Sequence, residues 1–94
     1  MTITSVAKWI INRDFSTAQE VYDYKNSVRS AAQIAALDAL ITKHCVTPQT
    51  LRWDPSSKLF TVTYAFASDA EELAFEVERK NLDLPKHTEF VWVN

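Results

Sequence analysis

The chain has 94 residues, a net charge of −2 and no glycine. This length suits a single domain, residues 1–94, and 47% hydrophobic residues are enough to build its core. Loops that bind phosphates need glycine where the backbone approaches the ligand. P-loops, dinucleotide fingerprints and nucleophile elbows are therefore excluded in their usual forms. Because no catalytic motif remains either, we expect a protein that is not an enzyme and has no cofactor.

The N-terminal segment, residues 2–11, fits two patterns. Four apolar residues would share one face of a strand, namely Ile3, Ala7, Trp9 and Ile11. A different set would share one side of a helix, namely Val6, Trp9, Ile10 and Arg13. We favour the strand, which gives a ferredoxin-like βαββαβ order, an α+β fold with a mainly antiparallel sheet and helices on one face. The helix would give α-α-β-β-α-β with a three-stranded sheet.

Two helical segments follow. A capping box of Thr17 and Glu20 predicts the start of the first. The clearest helix covers residues 27–44, because alanine is the best helix former and apolar residues recur there at helical spacing. Whether the two segments join or break near Asn26 is left open. The expected buried stripe consists of Val28, Ala31, Ala32, Ala35, Ala39 and Leu40, widened by Ile34, Leu37 and Ile41.

A hairpin comes next in the chain. Residues 50–54 and 58–67 predict two strands, joined by a turn at residues 54–57. The longer strand alternates with period two, which separates its large side chains from its small ones. One face carries Phe60, Val62, Tyr64 and Phe66, and the other carries Leu59, Thr61, Thr63, Ala65 and Ala67.

The remaining residues predict one helix and one strand. Ser68 and Glu71 form a second capping box, which begins a helix over residues 69–81. Its expected buried stripe consists of Ala70, Leu73, Ala74 and Val77. Residues 88–93 predict the final strand. Two tryptophans, Trp53 and Trp92, are expected to join the aromatic core, and a contact at a sheet edge or dimer interface is the alternative.

Residues 58–79 resemble the third strand and second helix of the RNA recognition motif. That family stacks bases on aromatic rings of its open sheet face. The resemblance places Ser57, Leu59 and Thr61 at the stacking positions, and none of them is aromatic. It therefore implies the scaffold without the family's RNA binding. An acidic chain also gains no general attraction to phosphates, so nucleic acid is not the expected partner.

The chain has one cysteine, Cys45, next to His44, and a second histidine at position 87. A cysteine nucleophile needs a base to hold its proton, and three such side chains could supply metal ligands. Neighbours on a helix point about 100° apart, however, and the spacing of the three matches no known metal site. We therefore predict no catalytic residue and no metal-binding residue.

The strongest functional feature is the acidic run on the last helix. Between residues 69 and 78 there are five acids and no base, namely Asp69, Glu71, Glu72, Glu76 and Glu78. Phe75 lies among them, off the expected buried stripe. An exposed aromatic ring surrounded by acids would attract and anchor a basic partner, so these six residues are the predicted protein-binding site. The alternative is a solvated helix face with Phe75 in the core.

These features favour a small cytoplasmic interaction module that binds a protein with a basic surface. By analogy with the motif-free accessory proteins of phages and mobile elements, it would act as an inhibitor or regulator. The single cysteine suits a reducing compartment, and no segment is long and apolar enough to suggest a membrane. One alternative is a homodimer, formed through Thr61, Thr63 and Ala65 or through a strand edge. The other is a weak nucleic-acid binder that uses the basic N-terminal half.

Overall fold

The computed structural model describes residues 2–93. Between β1 and the hairpin it has two α-helices and one turn of 3-10 helix. The elements in chain order are β1 (Ile3–Ile10), α1 (Ala18–Lys25), the 3-10 turn (Asn26–Val28), α2 (Ala31–His44), β2 (Thr50–Asp54), β3 (Leu59–Phe66), α3 (Asp69–Asn81) and β4 (Val91–Val93). The order is therefore β-α-α-β-β-α-β, with one α-helix more than the ferredoxin-like plan.

The four strands form one antiparallel sheet in the order β2-β3-β1-β4. The predicted α+β class is confirmed. Because residues 3–10 pair with β3 along their whole length, the N-terminal segment is a strand and the three-stranded alternative is wrong. The long pairing between β1 and β3 makes these two the central strands, while β2 and β4 lie at the edges.

The helices cover the sheet face that carries the large side chains of β3. Phe60, Val62 and Phe66 are at most 1% exposed there, and they pack against Val21 of α1 and Phe75 of α3 in two adjoining clusters. Thr61, Thr63 and Ala65 lie on the opposite, open face. The predicted register of β3 is therefore confirmed.

Side-chain caps fix where the helices begin. The Thr17 hydroxyl accepts from the Glu20 backbone N–H at 3.2 Å, as the capping box predicts. A second capping box joins Ser30 and Gln33 through two bonds of 2.8 and 3.1 Å. It begins α2 at Ala31, so the helix predicted for residues 27–44 starts later than expected and is separated from α1.

The buried side of α2 differs from the predicted one. Leu37, Ile41 and His44 are buried, and they face the sheet and α3. The alanines expected in the stripe are exposed, namely Ala31, Ala32, Ala35 and Ala39. Alanine favours a helix because it loses no side-chain entropy, which says nothing about burial.

The buried side of α3 is also not the predicted one. Phe75 is 0% exposed, with its ring centroid 5.1 Å from that of Tyr64 and 5.4 Å from that of Phe66. Leu73 and Val77 are 66% and 52% exposed on the outer side of the helix. The prediction that Leu73, Ala74 and Val77 meet the sheet is therefore wrong, and Phe75 takes that place.

The final strand is shorter than residues 88–93. A backbone bond of 3.0 Å from the Phe90 N–H to the His87 carbonyl makes a turn, and only Val91–Val93 pair with β1. Between α3 and this turn, Asp83 has a φ of 48°, in the left-handed region that a glycine would otherwise fill. No helix within residues 2–93 is long and apolar enough to span a bilayer.

Candidate functional site

A pocket of about 440 Å³ opens on the helical side of the sheet. Its walls come from the strands β1, β3 and β4, from all three α-helices, from Arg29 after the 3-10 turn and from the segment 82–90. Five lysine and arginine side chains line it, namely Lys25, Arg29, Arg79, Lys80 and Lys86. They are half of the ten in the whole chain. Asp83 is the one carboxylate among the lining residues. We call this site the cationic pocket.

The environment of Lys25 is unfavourable for a positive charge. Lys25 ends α1, and its ammonium nitrogen lies 4.4 Å from the centroid of the Trp9 ring, a cation–π contact. Burial lowers the pKa of Lys25 to about 8, and repulsion from Arg29 and Arg79 adds to the effect. No carboxylate of residues 2–93 forms an ion pair with it. The surroundings of Lys25 therefore disfavour the charged form of its side chain.

Arg29 has an incomplete set of hydrogen bonds. Its Nη1 donates to the Asn26 Oδ1 at 3.0 Å. Its Nε is buried and has no hydrogen-bond partner among the residues described. Buried N–H donors in folded proteins nearly always have a partner, so this unpaired one lowers the stability of the fold. Burial and the charge of Arg79 both lower the pKa of the Arg29 guanidinium.

Arg79 comes from α3 and is the one pocket cation that is ion-paired within the described chain. Its Nη2 donates to the Glu76 Oε2 at 2.7 Å, and its side chain is 39% exposed. A guanidinium has five N–H donors, so this bond leaves others for a ligand. Lys80 and Lys86 are exposed at the rim of the pocket.

Aromatic rings form the apolar walls. Trp92 is 54% exposed on the edge strand β4, and its ring meets Trp9 edge-on at a centroid distance of 5.3 Å. The expectation that Trp92 lies in the core is wrong, and the sheet-edge alternative describes its position. Tyr64 forms part of the inner wall, where burial raises the pKa of its phenol to about 12 and so keeps it neutral.

A small network holds the irregular segment 82–90 against the domain. Glu89 receives hydrogen bonds from the Arg13 Nε at 2.9 Å and from the Tyr24 hydroxyl. The Tyr24 ring lies 4.5 Å from His87, and Phe90 contacts Phe60 edge-on at 6.3 Å. These contacts hold the segment 82–90 in place as one wall of the cationic pocket, although the segment forms no helix or strand.

The predicted protein-binding site on α3 is not one continuous surface. Phe75 lies in the core, so it is no surface anchor. Glu71 and Glu78 both contact the ring of His44 on α2, Glu71 at 2.8 Å from Nδ1, and Glu78 also accepts from Lys43 at 2.9 Å. Glu76 pairs with Arg79. Of the five acids, Asp69 and Glu72 form no ion pair within the described part of the chain.

The two histidines and the cysteine have separate environments. His44 is 6% exposed, and its contacts with Glu71 and Glu78 raise its pKa. Burial raises the pKa of the Cys45 thiol, which lowers its nucleophilicity near neutral pH. His87 lines the cationic pocket. Within residues 2–93, no three His, Cys, Asp or Glu side chains form a group that could hold a metal ion.

Sequence reasoning did not find the cationic pocket, because its cations come from distant parts of the chain. One local signal was present. Lys25 and Arg29 are like charges four residues apart, a spacing that is unfavourable on a continuous helix. The chain matches no protein-family model, no curated protein and no solved structure, so its residues and their geometry carry the functional argument.

Proposed function

We propose that this domain is a non-catalytic binding module that holds an anionic group of its ligand in the cationic pocket. The observation that carries the proposal is the grouping of Lys25, Arg29 and Arg79. All three line one partly buried pocket, where two of them lack a carboxylate partner within residues 2–93.

Such a grouping costs folding free energy. Desolvation and mutual repulsion both disfavour buried like charges, and an unpaired buried N–H adds a further cost. Stability alone would favour an apolar side chain at Lys25, which already packs on Trp9. Features that lower stability in this way are typical of binding and catalytic sites.

A bound anion would reduce the electrostatic part of this cost. It would offset the repulsion among the three cations and accept charge-assisted hydrogen bonds from Lys25 and Arg79. The partner expected from the acidic helix had a basic surface, whereas the pocket requires a negative group. The burial of Phe75 removes the anchor on which that earlier expectation depended.

The non-catalytic part of the proposal rests on the same residues. Both nitrogens of the His44 ring contact carboxylates, those of Glu71 and Glu78. Cations and aromatic rings supply binding and orientation, and the described residues that line the pocket include no hydrogen-bonded pair of nucleophile and base.

A single substitution tests the proposal. Lys25→Met keeps the apolar stem and removes the charge, and Lys8→Met is the matched control on the open face of the sheet. We expect Lys25→Met to raise the unfolding free energy by roughly 1–2 kcal/mol. In thermal melts, phosphate, sulfate and citrate at equal ionic strength should raise the Tm of the wild type and of Lys8→Met more than that of Lys25→Met. If Lys25→Met is destabilised and all three proteins respond equally, the proposal is wrong.

A further inference from the structure

We infer that the ligand of the cationic pocket is a phosphate monoester carried by a planar ring, the class to which nucleoside monophosphates belong. The phosphate would lie between Lys25, Arg29 and Arg79, and the ring would lie against Trp92. This inference rests on the proposed function and names the ligand class for the same pocket.

The charges in the pocket favour a phosphate over a carboxylate. A phosphate monoester carries close to two negative charges at neutral pH and has three strong acceptor oxygens. Three cations converge on the site, and two of them are arginines, whose planar forks match phosphate oxygens in pairs. A carboxylate has one charge and two oxygens, so it would offset less of the repulsion among the three cations and accept fewer of their hydrogen bonds.

The aromatic walls favour a ring attached to that phosphate. Trp92 is 54% exposed and lines the pocket beside Trp9 and Phe90. Any flat aromatic ring can stack on the indole of a tryptophan, because every such ring has a π-face. The volume of about 440 Å³ falls in the range usual for small-molecule sites.

A nucleic-acid strand fits the surface less well than a single phosphate. Proteins that bind strands provide a positive groove that follows the backbone over several nucleotides. Here the cations are concentrated in one pocket, and the chain as a whole has a net charge of −2. Asp69 and Glu72 on α3 add exposed or half-exposed negative charge that no ion pair within residues 2–93 neutralises.

Isothermal titration with four small probes tests the inference at constant ionic strength. Adenosine monophosphate has the phosphate and the ring, adenosine has the ring alone, ribose 5-phosphate has the phosphate alone, and indole-3-acetate joins a ring to a carboxylate. We expect adenosine monophosphate to bind about tenfold or more tightly than each of the others.

Two variants assign the contacts. Lys25→Met and Trp92→Ala should each weaken the binding of adenosine monophosphate about tenfold or more, whereas Lys8→Met and Trp92→Phe should retain it within about threefold. Circular dichroism melts check that each variant is folded, and Lys25→Gln replaces Lys25→Met if the latter is not.

The outcomes separate this inference from the proposed function. If indole-3-acetate binds as tightly as adenosine monophosphate and depends equally on Lys25, the pocket binds anions but the phosphate inference is wrong. If a ten-nucleotide strand of thymidines binds more than about tenfold tighter than the monophosphate, the single-phosphate inference is also wrong. If no anion among these probes binds in a way that depends on Lys25, both proposals are overturned.

Discussion

Phe75 is the fully buried residue through which α3 packs against the apolar core. Its ring contacts Tyr64 and Phe66 of β3, and it belongs to one cluster with Leu37 and Ile41 of α2. We expect Phe75→Ala to lower the unfolding free energy by roughly 3–5 kcal/mol, since it removes a fully buried ring and leaves a cavity.

Leu73 supplies the matched control on the same helix. It is 66% exposed, so Leu73→Ala should change the unfolding free energy by no more than about 0.5 kcal/mol. Urea unfolding of both variants measures the difference. A larger loss in Leu73→Ala than in Phe75→Ala would mean that α3 presents its other side to the sheet.

The sequence of α3 does not decide between these two sides. Leu73 and Val77 make an apolar pair at helical spacing, and Phe75 stands alone between Glu71 and Glu78. Hydrophobic spacing favoured the pair. The side with Phe75 faces the core for two reasons. His44 on α2 contacts both glutamates, and the Phe75 ring packs against Phe66. Both facts depend on residues distant in sequence.

At the scale of elements, the contact between α2 and α3 combines this apolar cluster with an ionic bridge. His44 ends α2 and contacts Glu71 and Glu78 of α3. These carboxylates raise the pKa of His44, and His44 with Lys43 lowers the pKa of Glu78. The C-terminus of α2 adds a favourable site for positive charge.

The bridge should make the stability of the domain depend on pH. The raised pKa of His44 stabilises the fold fully below its unfolded pKa near 6.5, and this contribution is lost as pH rises through the folded value. The lowered pKa of Glu78 stabilises the fold at pH values above the unfolded pKa of this carboxyl. This contribution is lost as the pH falls through the folded value. His44→Gln should therefore cost the most, roughly 1 kcal/mol, between about pH 5 and 6.5, and less toward pH 9.

Denaturant unfolding across this pH range measures the effect. Lys43→Gln is the control, because Lys43 pairs with the same Glu78 but is 61% exposed. A cost for His44→Gln that stays constant with pH would show that the imidazole acts by packing alone.

Local patterns predicted the elements better than their packing. The alternation in β3 and the capping boxes at Thr17 and Ser68 gave the correct strand face and helix starts. The capping box of Ser30 and Gln33 was also present in the sequence, but the alanine-rich pattern around it extended the predicted helix past it. The length of β4 was overestimated because the turn before Phe90 depends on contacts of residues 87–90 with α1 and β3.

At the scale of the whole molecule, the feature hardest to predict is the distribution of charge. The acidic run on α3 is visible in the sequence, yet three of its members pair with His44 or Arg79 in the fold. The cations of the pocket belong to three separate parts of the chain, near residues 25–29, 79–80 and 86. The packing of α1 and α3 on the same face of the sheet and the path of segment 82–90 bring them together.

The charge distribution predicts that ligand binding is coupled to protonation of Lys25. The pKa of Lys25 is about 8 without a ligand, and a bound anion favours the charged form and raises this pKa. Binding near pH 8.5 should therefore take up a proton. The affinity for adenosine monophosphate should fall as pH rises above about 8, while the ligand-free domain becomes more stable between that pH and the usual lysine value.

Titrations in two buffers with different ionisation enthalpies measure this proton uptake. The other charged or titratable groups that face Lys25 are Arg29, Tyr64, Arg79, Lys80, Asp83, Lys86 and His87. Lys25→Met leaves all of them in place, so residual binding to this variant at high ligand concentration gives their joint contribution. We expect the wild type to take up about half a proton or more at pH 8.5 and the variant to take up close to none. Equal uptake by both proteins would place the titrating group elsewhere in the pocket and contradict the role assigned to Lys25.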